Sequence, residues 1–535
     1  AGAVRGWCLR DHEVCCGISG NIDWLRNEFA DIQLRLGPAH ALLAAYRSLG
    51  VDLLRAVGGR FSLFLWDGVR NFGLVACDRF GQMPVYWARG ADQALAFGPT
   101  ATAVCGLLGE RPGLSDQAIF NYLYFHMVPG PSTAFEGVEK LLAAHALVAN
   151  EGQWQVQRYW EPDFRENADA SMHEASEEIT GLLSSSVARL ASGADSGAFL
   201  SGGLDSSTVA GLLARHEPNP KTYSIGFDAD GYDEIGYARL ASERFHTQFN
   251  AYYVTPDDVL AELPKIAAAY DEPFGNSSAL PAYFCAKLAA GDGRTRLLAG
   301  DGGDELFAGN ERYAKQEVFE HYTRLPDWSR RFVMEPLLFK LLPQSGGLLS
   351  KARSYVRQAK VPLPDRLQTY NFLNRLGART IVTDALWDAV DESIPRQLDR
   401  ELYHQPRGAS RLNRMLYLDW HHTLADNDLR KVSRMCEAAG VEVRYPLLNE
   451  AIVNFSGQLP IPYKVKGQRL RWFFKEALKD LLPREIITKT KHGFGLPFGV
   501  WALSHEPLRN LVDDSLDKLE DRGYLRPEYL SLIHI

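Results

Sequence analysis

Cysteine is scarce in this 535-residue chain. The seven residues (Cys8, Cys15, Cys16, Cys77, Cys105, Cys285 and Cys436) form no CxxC pair and no His-paired zinc spacing. This excludes a disulfide scaffold and a zinc module, and a reducing cytoplasm is the expected setting. No stretch approaches about 18 consecutive apolar residues, and no basic segment followed by an apolar one opens the chain, so no membrane span or export signal is expected. Positive charge is not in excess either: 58 Lys plus Arg against 66 Asp plus Glu leave a net charge of -8. Such a chain lacks the field that would gather nucleic acid or an anionic membrane. Apolar residues make up 46% and charged residues 23%, as in ordinary globular domains. Two or three domains of roughly 150 residues are expected. The opening Ala1 and the apolar close Ser531-Leu532-Ile533-His534-Ile535 leave completeness open at either end.

What is present falls into two blocks, with no repeat of fixed period. From about residue 50 to 160, β-branched and aromatic runs alternate with turn residues. Examples are Arg60-Phe61-Ser62-Leu63-Phe64-Leu65-Trp66 before Asp67-Gly68 and Phe72-Gly73-Leu74-Val75-Ala76-Cys77 before Asp78-Arg79. This block is expected to be β-rich. The stretch 161–174 is polar and aperiodic, and a linker is expected there. Beyond it, Ile179, Leu182, Leu183, Val187 and Leu190 recur at three- and four-residue steps, the stripe of an amphipathic helix. Gly197-Ala198-Phe199-Leu200 reads as a strand, 201–207 as a small-residue loop, 208–216 as a helix and Tyr223-Ser224-Ile225-Gly226-Phe227 as a second buried strand. That succession within about 30 residues is a βαβ unit, which predicts a parallel sheet with ligands at the carboxyl ends of its strands. After about residue 310 helical periodicity dominates.

The loop Ser201-Gly202-Gly203-Leu204-Asp205-Ser206-Ser207 carries the functional argument. Its glycines let backbone N–H groups converge on an anion, and the following helix adds the positive end of its dipole. Ser206 and Ser207 add hydroxyl donors, whereas Asp205 makes sense beside phosphate chiefly through a divalent cation, here Mg²⁺. An ordinary strand-to-helix turn with Ser and Asp as caps is the alternative. The loop is neither GxxxxGK[ST] nor GxGxxG. A second glycine-rich segment, Ala299-Gly300-Asp301-Gly302-Gly303-Asp304-Glu305, follows an apolar run about a hundred residues later. Asp205 and Asp304 could share one Mg²⁺ that also bridges nucleotide phosphates; a solvated acidic turn is the alternative.

These segments resemble the pyrophosphate loop of ATP-pyrophosphatases and the matching segment of asparagine synthetases. Tyr232-Asp233-Glu234, Asp271-Glu272-Pro273-Phe274, Glu442-Val443-Arg444-Tyr445-Pro446-Leu447-Leu448 and Lys489-Thr490-Lys491-His492-Gly493-Phe494-Gly495 are similar to family landmarks in the same order. Upstream, Asp78-Arg79-Phe80-Gly81-Gln82-Met83-Pro84-Val85-Tyr86 and Val128-Pro129-Gly130-Pro131-Ser132-Thr133 resemble the later half of the family's glutamine amidotransferase domain. The resemblance implies an α/β protein. Residues 1–160 would be an Ntn-type amidotransferase-like β-rich sandwich and 161–174 a linker. Residues 175–535 would be a doubly wound parallel-sheet ATP-pyrophosphatase domain with a helical extension.

The implied reaction is ATP-dependent activation of a carboxylate, aspartate first among them, as an acyl-adenylate with loss of pyrophosphate. Ammonia from glutamine or from solution then displaces AMP. By resemblance, Leu200, Ser201, Gly202, Gly203, Asp205, Ser206, Ser207, Ile225, Ala299 and Gly300 would bind the nucleotide, and Asp205 and Asp304 the metal. Asp301 would serve the adenylate and deprotonate the amine, and Lys491, which taken alone reads as a solvated lysine, would stabilise transition-state charge. A homodimer is the protein partnership to test; nucleic acid and membrane are not expected.

Departures from the family accompany the resemblance. The family's glutaminase nucleophile is an N-terminal Cys, whereas this sequence begins at Ala1, and Cys8, Cys15 and Cys16 are internal. Ser19-Gly20-Asn21-Ile22-Asp23 only faintly resembles the family's Asn-Gly-Glu glutamine segment. Asn276, Ser433 and Asn449 stand where aspartates are common, which puts aspartate as substrate in question. Three alternatives stay open at this stage: an amide synthetase for another carboxylate, a noncatalytic protein retaining the fold, and a tRNA-modifying ATP-pyrophosphatase, the last disfavoured by the acidic balance.

Overall fold

The computed structural model describes residues 6–90, 94–109, 112–167, 169–229, 231–341, 347–490 and 495–534. Along β3 (Val57–Asp67), Phe61, Leu63 and Leu65 enter one core while Phe64 packs on another. This is the period-two pattern of a strand covered on both faces. The strand belongs to a six-stranded antiparallel sheet. Its spatial order is β1 (Gly6–Asp11), β2 (Val14–Trp24), β3, β4 (Phe72–Cys77), β8 (His145–Asn150) and β9 (Gln153–Arg158). A three-stranded sheet holds β5 (Tyr86–Arg89) between β6 (Leu95–Gly98) and β7 (Val138–Lys140). Tyr46 of α2 (Pro38–Leu49) and Phe29 of α1 (Asn27–Leu36) join the first core.

The β-rich block thus begins at Gly6, well before residue 50. The segment Val14–Trp24 is interrupted by Gly17, Gly20, Asn21 and Asp23, but all eleven of its residues pair with β3, from Val14 opposite Asp67 to Trp24 opposite Val57. Pairing partners outweigh local propensity here.

Residues 161–167 carry no helix or strand, and the next helix, α3 (Met172–Ala191), begins three residues before the expected boundary. Ser171 caps it by accepting a hydrogen bond from the Glu174 N–H. The connecting stretch is tethered: Asn167 N donates to Gln458 O at 2.8 Å, and Asn413 Nδ2 donates to Glu166 Oε1 at 2.9 Å. Beneath it, the buried Lys464 donates from Nζ to Asn413 Oδ1 at 2.7 Å. Burial pushes this amine down to about 7, with Glu166 pulling the other way. The free amine titrates at 10.5, so between the two values the unfolded chain binds more protons and this group adds stability as pH rises. Lys464→Met is expected to remove that contribution to the pH slope and to raise Tm at neutral pH. Parallel thermal melts of the two proteins from about pH 7 to about pH 10 check it: converging curves at high pH are the expected result, and parallel curves would refute it.

The second half is built on five parallel strands: β10 (Ser196–Phe199), β11 (Lys221–Phe227), β12 (Gln248–Val254), β13 (Arg296–Leu298) and β14 (Glu442–Arg444). Their order across the sheet is β12-β11-β10-β13-β14. The chain steps outward from β10 to β12 and then returns to the other side of β10 as β13. That reversal between β10 and β13 is where a doubly wound sheet opens a crevice at its carboxyl edge. Ile179, Leu183 and Val187 of α3 and Val209, Leu212 and Leu213 of α4 (Leu204–His216) enter the core of this half. Leu280, Tyr283 and Phe284 of α6 (Ala279–Gly291) and Val432, Met435 and Cys436 of α8 (Leu429–Ala439) do so too. Between α4 and α6 lies α5 (Ile235–Phe245). Among the described residues no helix is long and apolar enough to cross a membrane.

Candidate active site

Two loops leave the sheet at the reversal, and glycines let them interlock. After β10 the chain turns at Gly202, whose φ of 69° favours glycine and whose absent Cβ would stand 2.5 Å from Tyr237 Cβ and 2.6 Å from Ala238 N. The helix α4 then starts at Leu204 with Gly203 as its cap and no side chain satisfying its first N–H groups. Ser201 and Ser206 tie the turn together, their hydroxyls 2.9 Å apart. After β13 come Ala299 and Gly300, and a Cβ on Gly300 would lie 2.7 Å from both Asp205 C and Ser206 N. Gly303, at the start of α7 (Gly303–Phe307), similarly gives way to the Asp205 carboxylate.

The atoms facing Gly300 belong to backbone, so Gly300→Ala must drive the two loops apart. A displacement near 1 Å at a reacting centre costs about 100-fold in rate. On the ATP-pyrophosphatase resemblance of these loops, Gly300→Ala is expected to lower exchange of labelled pyrophosphate into ATP by that order while the far-ultraviolet dichroism stays native; unchanged exchange would contradict the interlock.

Leu200, Ser201, Gly203, Asp205, Ser206, Ile225, Gly300, Asp301 and Asp304 line one cavity of about 1070 Å³. Gly202, Ser207 and Ala299 stand behind this lining. Gly202 is packed on α5, Ala299 is 2% exposed, and Ser207 is fully buried with a hydroxyl that finds no partner among the described residues. Lys491 lies outside the described residues; Lys489 and Thr490, which precede it in the chain, line the cavity. Lys489 Nζ sits 2.9 Å from Glu234 Oε1 and 4.4 Å from the centre of the Tyr237 ring.

Asp301 is half-buried in the cavity wall, and desolvation, with Asp428 adding to it, pushes its carboxyl up to about 6 against the pull of Lys431. Lys431 Nζ lies 2.7 Å from Asp428 Oδ1. Burial works against this ammonium, yet Asp428 and Asp301 hold its pKa above the ordinary lysine range. A carboxyl poised near 6 beside a fixed cation is suited to accepting a proton from an attacking amine.

Sequence reasoning missed Arg471. It is 5% exposed, lies between the short hairpin 465–470 and α9 (Trp472–Ala477), and reaches both acids assigned to metal. Its Nη1 donates to Asp205 Oδ1 and Oδ2, each at 2.7 Å, and its Nη2 pairs with Asp304. Nothing in Gly467-Gln468-Arg469-Leu470 marks the position; only the fold brings it 266 residues back to Asp205.

No group of three or more His, Cys, Asp or Glu side chains suited to a metal occurs among the described residues. Two carboxylates with phosphate oxygens completing the shell are nevertheless a donor set that suits Mg²⁺. The pair fits such an ion in chemistry, since the cavity already gathers a cation between them.

Of the other motifs, those with Glu272 and Arg444 touch the first half, and Ser433, Asn449 and Asn276 bond within the second. Arg430 pairs with Asp271 at 3.0 Å and Glu272 at 2.7 Å, and Glu272 accepts from Ala134 N at 3.0 Å. Asn21, on β2, sets its carboxamide against the Arg444 guanidinium. Ser433 Oγ lies 2.9 Å from Tyr445 Oη, Asn449 caps the helix Glu450–Gln458, and Asn276 Nδ2 donates to Asn427 Oδ1 at 2.7 Å.

Comparison with known proteins agrees with this arrangement. The sequence model of the asparagine synthase family matches residues 178–533, and that of a glutamine amidotransferase domain matches 20–160. A Mycobacterium tuberculosis protein with a provisional glutamine-hydrolysing asparagine synthetase name is 28% identical over 505 residues, covering 91% of this chain and 74% of that protein. Asparagine synthetase 1 of Bacillus subtilis, glutamine-hydrolysing by name, is 24% identical over 500 residues, 91% of this chain and 75% of its own. Asparagine synthetase 3 of the same organism is 25% identical over 480 residues, 85% and 70% of the two chains. With its parallel-sheet half matched almost end to end and a β-rich amidotransferase half before it, the chain belongs to the asparagine synthase family of carbon–nitrogen ligases.

Proposed function

We propose that the protein activates a carboxylate with ATP, forming an acyl-adenylate and pyrophosphate, and then transfers ammonia to give an amide. The observation that carries this reading is the convergence of the Ser201–Ser206 turn and the Gly300–Asp304 turn on one cavity at the sheet reversal. The uncapped N–H groups of α4 would receive the leaving pyrophosphate, whose charge grows as the carboxylate attacks the α-phosphorus. Asp205 and Asp304 would hold Mg²⁺, which when bound supplies neutralisation of phosphate charge. Leu200, directly after β10, and Ile225, within β11, are apolar and would flank the base and ribose. Asp301 would take the proton from the incoming amine, and Lys491 would stabilise charge at the α-phosphate.

A cavity of about 1070 Å³ lies at the top of the range of about 300–1,000 Å³ usual for ligand pockets, so it accommodates a nucleotide and a second substrate together. Aspartate is the first carboxylate to test. Amide formation on a different carboxylate is the second reading, favoured by the neutral Asn276 beside the lining residue Ser278. A cytoplasmic setting belongs to this reading and is supported by the seven free thiols.

The decisive experiment is exchange of labelled pyrophosphate into ATP across a panel of carboxylates, followed by amide formation with ammonia and with glutamine. Exchange that depends on one carboxylate supports the reading and names the substrate. No carboxylate-dependent exchange at all would overturn it.

A further inference from the structure

Arg471 occupies the place between Asp205 and Asp304 that the preceding reading gives to a divalent cation. Its guanidinium touches both carboxylates and is almost wholly removed from solvent. A divalent ion sharing those acids would sit within a few ångströms of that positive charge, in a pocket where screening is weak. Metal and guanidinium therefore compete for the same two carboxylates.

Arg471 has φ 53° and ψ 34°, the left-handed region that non-glycine residues rarely adopt. It joins the last strand of the hairpin, Arg469–Leu470, to α9, which fixes its backbone at the cavity wall and leaves rotation about the side-chain bonds to re-aim the guanidinium. A Cβ at Gly309 would collide with the Asp304 carboxylate and with the Arg471 guanidinium, so the acids and the cation are accommodated by a glycine wall. The same residue lines the large cavity with Asp205, Gly303 and Lys489.

We propose that Arg471 is a resident counter-cation. In the nucleotide-free protein it holds the two carboxylates close together, and on arrival of the metal-bound triphosphate it yields them and turns to the oxygens of the departing pyrophosphate. Its role beside pyrophosphate rests on the ATP reading; its competition with metal rests only on the two acids. An arginine suits both tasks, because its planar fork bridges two carboxylates and afterwards pairs with a phosphate.

Mn²⁺ is the probe, titrated by calorimetry into the full chain without nucleotide. The unaltered protein is expected to bind it weakly. Arg471→Met is expected to bind it at least about tenfold more tightly, since the competitor has gone while both acids remain. In the exchange assay the same variant is expected to lose about 100-fold in rate, the usual cost of one donor aimed at developing oxyanion charge. Should Arg471→Met fail to fold, Arg471→Lys is read in its place: a single ammonium cannot span both acids, and Mn²⁺ affinity rises several-fold. Mn²⁺ affinity that is unchanged or lower in a folded variant overturns the proposal, even where the unaltered protein exchanges pyrophosphate normally. Absence of exchange in the unaltered protein defeats the ATP reading instead.

Discussion

Asp205→Asn is expected to abolish carboxylate-dependent exchange of pyrophosphate into ATP, by about a thousandfold or more. The substitution keeps the volume of the side chain and removes its charge, so the interlock around Gly300 and Gly303 survives while the metal loses an anionic ligand and Arg471 keeps Asp304 as its charged partner. The position is placed unusually tightly. Asp205 lies in the first turn of α4, where its carboxylate also faces the positive helix end, and it packs against the next crossover loop. Nucleotide binding measured by calorimetry is expected to weaken far less than exchange, because the backbone N–H groups and the apolar flank persist. A variant that retains exchange would remove Asp205 from the metal and nucleotide site.

Asp301→Asn is expected to slow amide formation by about 10²- to 10⁴-fold, the span of a general base, while exchange falls much less. Asp301 titrates at about 6, against 3.8 when free. Below its pKa the carboxyl is protonated and cannot accept the amine proton, so the wild-type rate should climb tenfold per pH unit up to about 6 and then level. The Asn variant should lack that limb.

Stability moves the opposite way. A carboxyl whose pKa is raised on folding binds its proton more tightly in the native state. Its contribution to stability is therefore full below pH 4 and is lost as pH rises through about 6. At neutral pH the desolvated carboxylate is a burden, and Asp301→Asn should melt higher than its parent while being nearly inactive. A lower Tm together with an unchanged pH profile would show Asp301 to be structural. Such opposition between stability and activity is the mark of a group retained for chemistry.

The distribution of these effects explains how much could be read in advance. Ser201 to Ser206 and Gly300 to Asp304 were legible because phosphate chemistry demands small residues, acids and a following helix within a few positions of one another. The β10-loop-α4-β11 succession was legible for the same reason, with boundaries shifted by only a few residues. The strand Val14–Trp24 was not, since glycine and Asn-Ile-Asp break its pattern and eleven pairings with β3 hold it extended. Lys431 escaped notice as one more lysine of an amphipathic helix; it acquires meaning from Asp301, 130 positions earlier in the chain, which feels its charge.

The amino-acid sequence alone determined the family, the two-part α/β organisation and the two glycine-rich loops, because each is written in contiguous residues whose local chemistry has few alternative uses. The tertiary structure decided that the loops share one cavity, that Gly202, Ser207 and Ala299 stand behind its wall, and that Arg471 bridges Asp205 and Asp304. Those relations depend on the order of parallel strands across the sheet, which joins residues hundreds of positions apart and leaves no local pattern for them to be read from.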